Sequence, residues 1–341
     1  MRIAVDAMGS DQFPLPDVQG AVMAAREYGV EILLVGDEAR VRPVLEAQNA
    51  AGLPIRLIHA PEMLTMEDKG MALVLKARRP QAQNSMAVAI DLVKNGEADA
   101  FVTAGNTGAA MTTAYFRLGT LAGVDKPALA PVFPTATGSC VVLDVGANPD
   151  CKPENLLQFA IMGATYAEVV RGVKNPLVGL ISNGEEEGKG NELVRAATPL
   201  LKASGLNFYG NVEGKEVIGG KVDVAVTDGF TGNVLLKTAE AVAKLLTDKI
   251  KEAIKQGGPT ALLGGMLVRP ALGKVKQLLD PSEYGAAPLL GVNGLVFIGH
   301  GRSDAIAIKN AIRVAKEAAE SGVLEALRTA IEANLAARSA R

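Results

Sequence analysis

Residues 1–36 read MRIAVDAMGSDQFPLPDVQGAVMAAREYGVEILLVG, and that stretch decides the fold. Short apolar runs at 3–5 and 31–35 flank an amphipathic stretch at 17–28. A strand, a helix and a second strand in that order form a βαβ unit, whose two strands must lie parallel. The first strand ends on a polar, glycine-containing loop, Asp6-Ala7-Met8-Gly9-Ser10-Asp11.

Outward from this unit the same alternation continues. Further strands are predicted at 55–59, 100–103, 141–145, 177–181, 222–226 and 295–298. Helices are predicted at about 38–51, 81–95, 107–121, 153–170, 191–203, 232–255, 303–319 and 324–337. Repeated βα units predict an α/β fold, a mainly parallel Rossmann-like three-layer sandwich with helices on both faces. The chain is expected to form one α/β domain over 1–341, open to division into two intertwined subdomains. One segment breaks the pattern. After the helix ending near Lys255 come Gly257-Gly258-Pro259, the apolar stretch 260–268, and a helix at 270–279. Residues 250–280 therefore predict a protruding helical hairpin with a glycine-broken apolar tip at Leu262, Leu263, Met266, Leu267 and Val268. Lys251, Lys255, Arg269, Lys274 and Lys276 flank that tip. Apolar residues ringed by cations suit an anionic membrane surface. A core or dimer-interface helix has the same pattern, so both readings stay open.

Composition narrows the class. The 341 residues carry 35 Lys+Arg against 37 Asp+Glu, a net charge of −2, with no basic excess to hold nucleic acid. Apolar residues make 48% and charged residues 21%, as in a soluble globular protein. With 37 Gly, no Trp and 4% aromatics, the core must pack aliphatic side chains while loops take the glycines. Cys140 and Cys151 form no CxxC and no Cys/His cluster, so neither zinc nor a disulfide framework is expected. They read as small packing residues in a reducing cytoplasm. No signal-peptide core opens the chain, and no apolar run approaches the ~18 residues of a spanning helix. The expectation is a cytoplasmic protein, attached to membrane at most peripherally.

Several signatures fail. HExxH, GxSxG and the EF-hand loop are absent. Gly184–Gly190 has three residues between its first glycines where a P-loop needs four, and Gly190 stands where Ser or Thr would hold magnesium. Gly299-His300-Gly301-Arg302-Ser303-Asp304 lacks the third glycine of a dinucleotide fingerprint. An NAD(P)-dependent dehydrogenase therefore rests on one defective turn. Instead, polar loops close several predicted strands: 6–11, 104–109, 143–148, 183–192 and 227–233. In a doubly wound sheet the strand carboxyl ends line one crevice, and all five loops are expected at that end of one sheet. Gly, Asn and Thr at helix N-termini turn backbone N–H groups toward an anion such as phosphate. Any single Gly-Asn turn is more often a cap. Lys189 between two glycines reads as an anion clamp, and Asp6 and Asp228 at strand ends as site carboxylates. Glu185–Glu187 read as a solvated acidic run and His59 as structural, while His300 is open between both roles.

At these loops the sequence resembles the PlsX family, the phosphate acyltransferases of bacterial phospholipid synthesis. The resemblance rests on AVDAMGSD at 4–11, TAGNTGA at 103–109 and LDVGANPDCKPENLLQFAIMG at 143–163. It continues through NGEEEGKGNE at 183–192, GNVEG at 210–214, DVAVTDGFTGNVLLK at 223–237, and APLLGVNG and HGRSD between 287 and 304. Departures are Ser10 for a usual glycine, Gln12 for a common histidine, Asn84 for a serine and Ala286 for a glycine.

The resemblance implies a fold like the phosphotransacetylases and isocitrate-dehydrogenase-like proteins. It implies transfer of a fatty acyl group from acyl carrier protein to inorganic phosphate, giving acyl phosphate for a membrane glycerol 3-phosphate acyltransferase. It further implies a homodimer with no metal and no organic cofactor. Phosphate brings its own nucleophile, with a second ionisation near ~6–7 as in phosphate esters, so no Ser-His or Cys-His device is needed. The enzyme must position the anion and stabilise the developing oxyanion. On this reading Asn106, Thr107 and Gly108 bind phosphate, Lys189 neutralises it and Asn233 orients phosphate or the thioester carbonyl. Asp6, Gly9, Asn148, Gly190, Asn191, Asp228, Gly229 and His300 stand around them. The acidic carrier protein would meet Arg78, Arg79, Arg269 or Lys274. A scaffold that binds carrier protein at the membrane without catalysis is the non-enzyme alternative.

Overall fold

The computed structural model describes residues 1–65, 67–79, 81, 83–279 and 281–339, without the side chains at 272, 274–281, 338 and 339. The side chains of Lys274 and Lys276, expected beside the hairpin tip, thus lie outside the described residues.

The opening unit is β1 (Arg2–Asp6), α1 (Leu15–Tyr28) and β2 (Glu31–Gly36). Pro16 stands in the first turn of α1, where its missing N–H costs nothing, and Gly29 ends the helix at φ 63°. β1 and β2 pair in parallel, Ile3 opposite Ile32. Next come α2 (Glu38–Ala47), β3 (Ile55–His59), α3 (Gly70–Arg78), α4 (Ser85–Lys94), β4 (Ala100–Thr103) and α5 (Thr107–Leu118). Then β5 (Ala128–Leu129), β6 (Val132–Thr135) and β7 (Gly138–Leu143) lead into α6 (Pro153–Val169). They are followed by β8 (Val178–Ile181), α7 (Glu192–Lys202), β9 (Phe208–Val212), α8 (Gly214–Gly219) and β10 (Val224–Val226). Two long helices, α9 (Gly229–Gln256) and α10 (Gly258–Leu279), precede α11 (Pro281–Tyr284). The chain ends with β11 (Ala287–Leu290), β12 (Val296–Ile298), α12 (Ala305–Ser321) and α13 (Val323–Ser339).

The strands form two sheets, not one. A seven-stranded sheet has the order β3-β2-β1-β4-β12-β11-β5, and a five-stranded sheet the order β6-β7-β10-β8-β9. Pairing is parallel except at β11 with β12 and β5, and at β6 with β7. The expectation of five loops at the end of a single sheet is corrected accordingly. The chain changes sheets at Ala130-Pro131. Ala130 N still donates to Pro288 O of β11, whereas the Pro131 carbonyl already accepts from Val142 N of β7. Pro131 has no N–H to continue the first ladder, so the segment turns to the second. Sequence patterning missed β5, β6, β9 and β11 because each is short or interrupted by glycine or proline.

Alternate residues of each strand face two apolar layers. Ile3, Val5, Ile32, Leu34, Val141, Leu143, Val224 and Val226 join the layer that holds Phe159 and Tyr166 of α6. Ala4, Leu33, Val35, Phe101, Val142 and Ala225 join the opposite layer. Both layers cross both sheets, so the strands are covered on two faces, as parallel sheets require. α1 crosses α12 so closely that a Cβ on Gly20 would stand 2.4 Å from Ile308 Cβ.

The hairpin is present with its turn displaced. α9 and α10 reverse at Gly257 and Gly258, and Gly265 of α10 rests against Ile254 of α9. Residues 260–268 are therefore helical, and the expected apolar tip is a side face of α10 beyond the turn. Pro259, in the first turn of α10, promotes that start. Leu263, Met266 and Leu267 are 61%, 70% and 75% exposed. Among the described residues no helix is long and apolar enough to cross a membrane.

Candidate functional site

Asp6, the last residue of β1, turns into the interior. Its Oδ1 accepts from Met8 N at 3.0 Å and its Oδ2 from Thr103 Oγ1 at 2.8 Å. Thr103 Oγ1 accepts in turn from Gly105 N at 3.0 Å. Burial raises the Asp6 carboxyl above its usual range, while hydrogen bonds from Ser85, Thr103 and Met8 oppose that shift. Gly9 fits against Gly105, where a Cβ would come within 2.9 Å of the Gly105 nitrogen. Asp6 and Gly9 thus lock the loop after β1 onto the loop after β4. Behind them Ser10 Oγ donates to Asp17 Oδ2 at 2.5 Å. Burial, reinforced by the charge of Asp6, holds the Asp17 carboxyl up to about 7.

Asn106 caps α5, accepting from Ala109 N at 3.1 Å while its Nδ2 donates to Thr65 O at 3.0 Å. The first amides of the helix, on exposed Thr107 and Gly108, have no acceptor within it. They present two donors at the positive end of a helix.

The loops after β7 and β10 interlock in the second sheet. Asp144 is fully buried and accepts from Leu129 N at 2.9 Å, Ala147 N at 3.1 Å and Asn148 N at 2.6 Å. Burial raises its carboxyl above the usual range, against the pull of these bonds. The Asn148 amide is committed as well, donating to Pro127 O at 2.7 Å and to Asp144 Oδ2 at 3.0 Å. Asp228 caps α9, accepting from Thr231 N and Thr231 Oγ1, both at 2.9 Å. Two glycines allow this helix start to press on the neighbouring loop. A Cβ would lie 2.7 Å from Asp144 Oδ2 at Gly229 and 1.9 Å from Asp144 O at Gly232. One turn on, exposed Asn233 lies beside Gly146, its Cγ 3.6 Å from where a Cβ would be.

The loop after β8 stands beside these. Gly190 N donates to Asn183 Oδ1 at 2.9 Å, and Asn191 caps α7 by accepting from Val194 N at 2.9 Å. Lys189 is exposed and forms no ion pair among the described residues; its stem lies along Gly184. Buried Asn211 supports the loop by donating to Glu186 O at 3.0 Å. The buried Asn211 Oδ1 and Ser182 Oγ have no partner among the described residues. Glu185, Glu213 and Glu216 lie close enough to share a cation. Lys215 already serves them, at 3.0, 2.9 and 3.5 Å.

One helix joins the two sets of loops. α9 leaves the end of β10, passes Asn233 beside the β7 loop and sets Leu235 against Gly214 after β9. Farther along it carries Lys237 and Glu240, whose charges are felt at His300, beyond β12. Partial burial lowers the His300 pKa, followed by the Lys237 charge, while Glu240 opposes. Asp11 N donates to Gly301 O at 2.7 Å, closing the ring back to β1. The structure thus gathers Asp6, Gly9, Asn106, Thr107, Gly108 and His300 on the first sheet. Asn148, Asp228, Gly229 and Asn233 gather on the second, with Lys189, Gly190 and Asn191 one strand away. No described hydrogen bond joins Lys189 to Asn233.

Three residues escaped the sequence reading. Thr103 carries the bridge from Asp6 to the loop that leads into α5. Asp144 holds the β7 loop, although the LDVGAN motif pointed only to Asn148. Lys237, four residues after Asn233 on the same helix face, is a further cation near His300, paired with Glu240 at 2.9 Å. Cys140 and Cys151 are free, with burial pushing their thiols up to about 12 and about 11. Neither offers a thiolate at neutral pH. The arrangement can hold an anion on helix amides and lysines, and has donors for an oxyanion.

A family described as "Fatty acid synthesis protein" matches residues 1–326. A phosphate acyltransferase of Thermus thermophilus is 52% identical over 334 residues, covering 98% of this chain and 99% of its own. One from Pelotomaculum thermopropionicum is 50% identical over 332 residues, covering 97% and 95%. Among solved structures, a phosphotransacetylase from Streptococcus pyogenes aligns with a TM-score of 0.60 at 16% identity, covering 94% of each chain. The EutD phosphotransacetylase from Staphylococcus aureus aligns at 0.59 and 16%, covering 92% and 94%. The two structures share the fold.

Proposed function

The chain belongs to the fatty acid synthesis protein family, and on that premise we propose that it is a phosphate acyltransferase. It moves a fatty acyl group from the thioester of acyl carrier protein to inorganic phosphate. A phosphate oxygen attacks the thioester carbonyl, the C–S bond breaks, and the hydrogen-phosphate proton ends on the leaving thiolate. Products are acyl phosphate and free carrier thiol, and the balance needs no further reactant. The observation that supports this best is the pair of exposed helix amides at Thr107 and Gly108, with Lys189 exposed on the loop after β8 and both cysteines held as thiols among the described residues. Thr107 and Gly108 bind phosphate, Lys189 neutralises it, and Asn233 faces the carbonyl oxygen. Asp6, Asp144, Asn148, Asp228 and Asn191 shape the loops through the bonds described above. Gly9, Gly190 and Gly229 let those loops close, and His300 lines the mouth.

The dehydrogenase reading loses its only support here. The Gly301 turn lies against the Asp11 carboxylate, 2.6 Å from where a Cβ would be, and a negative charge there disfavours a pyrophosphate. The test is incubation with palmitoyl carrier protein and inorganic phosphate, trapping acyl phosphate as its hydroxamate. Phosphate-dependent hydroxamate with released thiol is expected; bound carrier without product would instead establish the scaffold. Lys189→Ala and Asn233→Ala, made separately, are expected to lower turnover by about 10²–10³, as loss of an oxyanion donor does elsewhere. Near-normal turnover in both folded variants would remove the assignment.

The family resemblance extends the proposal to a homodimer that hands acyl phosphate to a membrane acyltransferase. Val234, Val242 and Leu245, exposed along α9, suit a second copy of the chain. Leu262, Leu263, Met266 and Leu267 of α10, near exposed Arg269, suit peripheral contact with an anionic membrane from the cytoplasm.

A further inference from the structure

Asn106 does more than cap α5. By holding Thr65 O it ties the approach to α3 onto the start of α5. α3 buries Leu73 and Ala77, yet Met71 and Leu75 are 72% and 66% exposed. These two lie one turn apart on one face, and Arg78 follows on the same face. The Arg78 guanidinium stands 5.2 Å from the centroid of the Phe116 ring, and Tyr115 meets that ring edge-on at 5.3 Å. Both aromatics are themselves exposed. Arg117 braces the arrangement, donating to Ala77 O at 3.2 Å and Arg79 O at 3.0 Å and pairing with Asp91 of α4. The apolar surface is therefore built on a fixed helix end.

Its charge is one-sided. Residues 69–79 and 107–118 contain Lys69, Lys76, Arg78, Arg79 and Arg117 and no carboxylate, in a chain of net charge −2. Neighbouring Asp68, Glu62 and Asp91 answer Lys76, Arg79 and Arg117. Lys69 and Arg78 have no carboxylate partner among the described residues. On the hairpin, Lys237, Lys244 and Lys249 pair within α9 with Glu240, Asp248 and Glu252, whereas Lys251, Lys255 and Arg269 have no carboxylate partner among the described residues.

We infer that the α3 face with Tyr115 and Phe116 is the docking surface for acyl carrier protein, receiving an acidic helix whose apolar residues cover Met71 and Leu75. The inference rests on the phosphate acyltransferase reading. Nine residues of α5 separate Phe116 from Thr107, roughly 14 Å at 1.5 Å per residue. A flexible prosthetic arm on a docked carrier spans that interval and delivers its thioester to the amides of Thr107 and Gly108.

The experiment compares two acyl donors, palmitoyl carrier protein and the palmitoyl thioester of a small pantetheine-like thiol. Leu75→Glu and Arg78→Glu are each expected to raise KM for the carrier about tenfold, about 1.4 kcal/mol, with kcat little changed. The same variants should leave kcat/KM for the small thioester within about twofold, which a misfolded or merely loosened site would not do. Both residues are exposed, and circular dichroism checks that the variants fold. An unchanged KM for carrier in both folded variants overturns the docking surface, as does a rise confined to Leu263→Glu and Leu267→Glu on the hairpin. If the unaltered chain makes acyl phosphate from neither donor, the enzymatic reading itself fails and this inference with it.

Discussion

The crevice and the hairpin spend their residues in opposite ways. At the crevice, carboxylates are buried and answered: Asp6 by Thr103 and Met8, Asp144 by three backbone amides, Asp17 by Ser10. Along α9 and α10, apolar side chains stand exposed, and Lys237, Lys244 and Lys249 pair with acids of α9 itself. One region is completed by contacts within the chain. The other leaves apolar side chains exposed. The lesson is that the strand-end loops are held by buried polar groups answered within the chain, whereas the hairpin leaves its apolar side chains exposed.

Glycine replacement separates the regions most sharply. Gly232→Ala puts a Cβ 1.9 Å from the backbone oxygen of Asp144, and backbone cannot swing aside as a side chain does. A loss of about 3 kcal/mol or more in urea unfolding is expected, with turnover collapsing as the β7 loop shifts. Wild-type stability in that variant would show that the two loops are not interlocked.

Asp17 tests the same tightness through protons. Its carboxyl titrates near 7 in the folded chain against a reference of 3.8, so folding takes up a proton between those values. The folded state binds more protons than the unfolded one there, and stability falls as pH rises through the window. The limiting slope is about 1.4 kcal/mol per pH unit for one group. Asp17→Asn should flatten that decline between about pH 4 and pH 7 in paired thermal melts. Parallel curves for the two proteins would mean that the carboxyl is hydrated.

Gly264, in α10, has open space around it, with nothing within 4 Å of where a Cβ would be. Gly264→Ala should therefore stabilise the helix by up to about 1 kcal/mol. A destabilisation measured in the assembled protein would reveal a close partner at that point. The smallest change in stability belongs to Leu263→Glu combined with Leu267→Glu, within about 0.5 kcal/mol, because both side chains are already in water. Co-sedimentation with anionic vesicles should nonetheless disappear, and unchanged sedimentation would remove the membrane contact.

Much of this was legible in the sequence, for identifiable reasons. β3 and β4 fall where the apolar runs end, at Ile55–His59 and Ala100–Thr103. The loops carrying Asn106 and Asp228 do stand at strand ends, because Asn and Asp both cap the helices that follow. The division into two sheets was not legible, since it hangs on Pro131 and on strands as short as Ala128–Leu129. Nor was the pairing of Asp6 with Thr103, 97 residues apart. Local spacing carries caps and periodicity, whereas such contacts are set by which strand lies next to which. The hairpin turn was misplaced because Gly264 and Gly265 read as breakers, yet helix–helix contact at Ile254 favours a residue without a side chain.

α9 has a mechanical consequence of its own. Between Asn233 and Gly257 the sequence holds no glycine and no proline, so this stretch has no hinge. Twenty-four residues make a rod of roughly 36 Å. It works as a ruler and as a lever. Whatever surface receives the hairpin is held at a set distance and bearing from the crevice, and a tilt imposed at the far end turns Asn233 about its anchorage at Asp144.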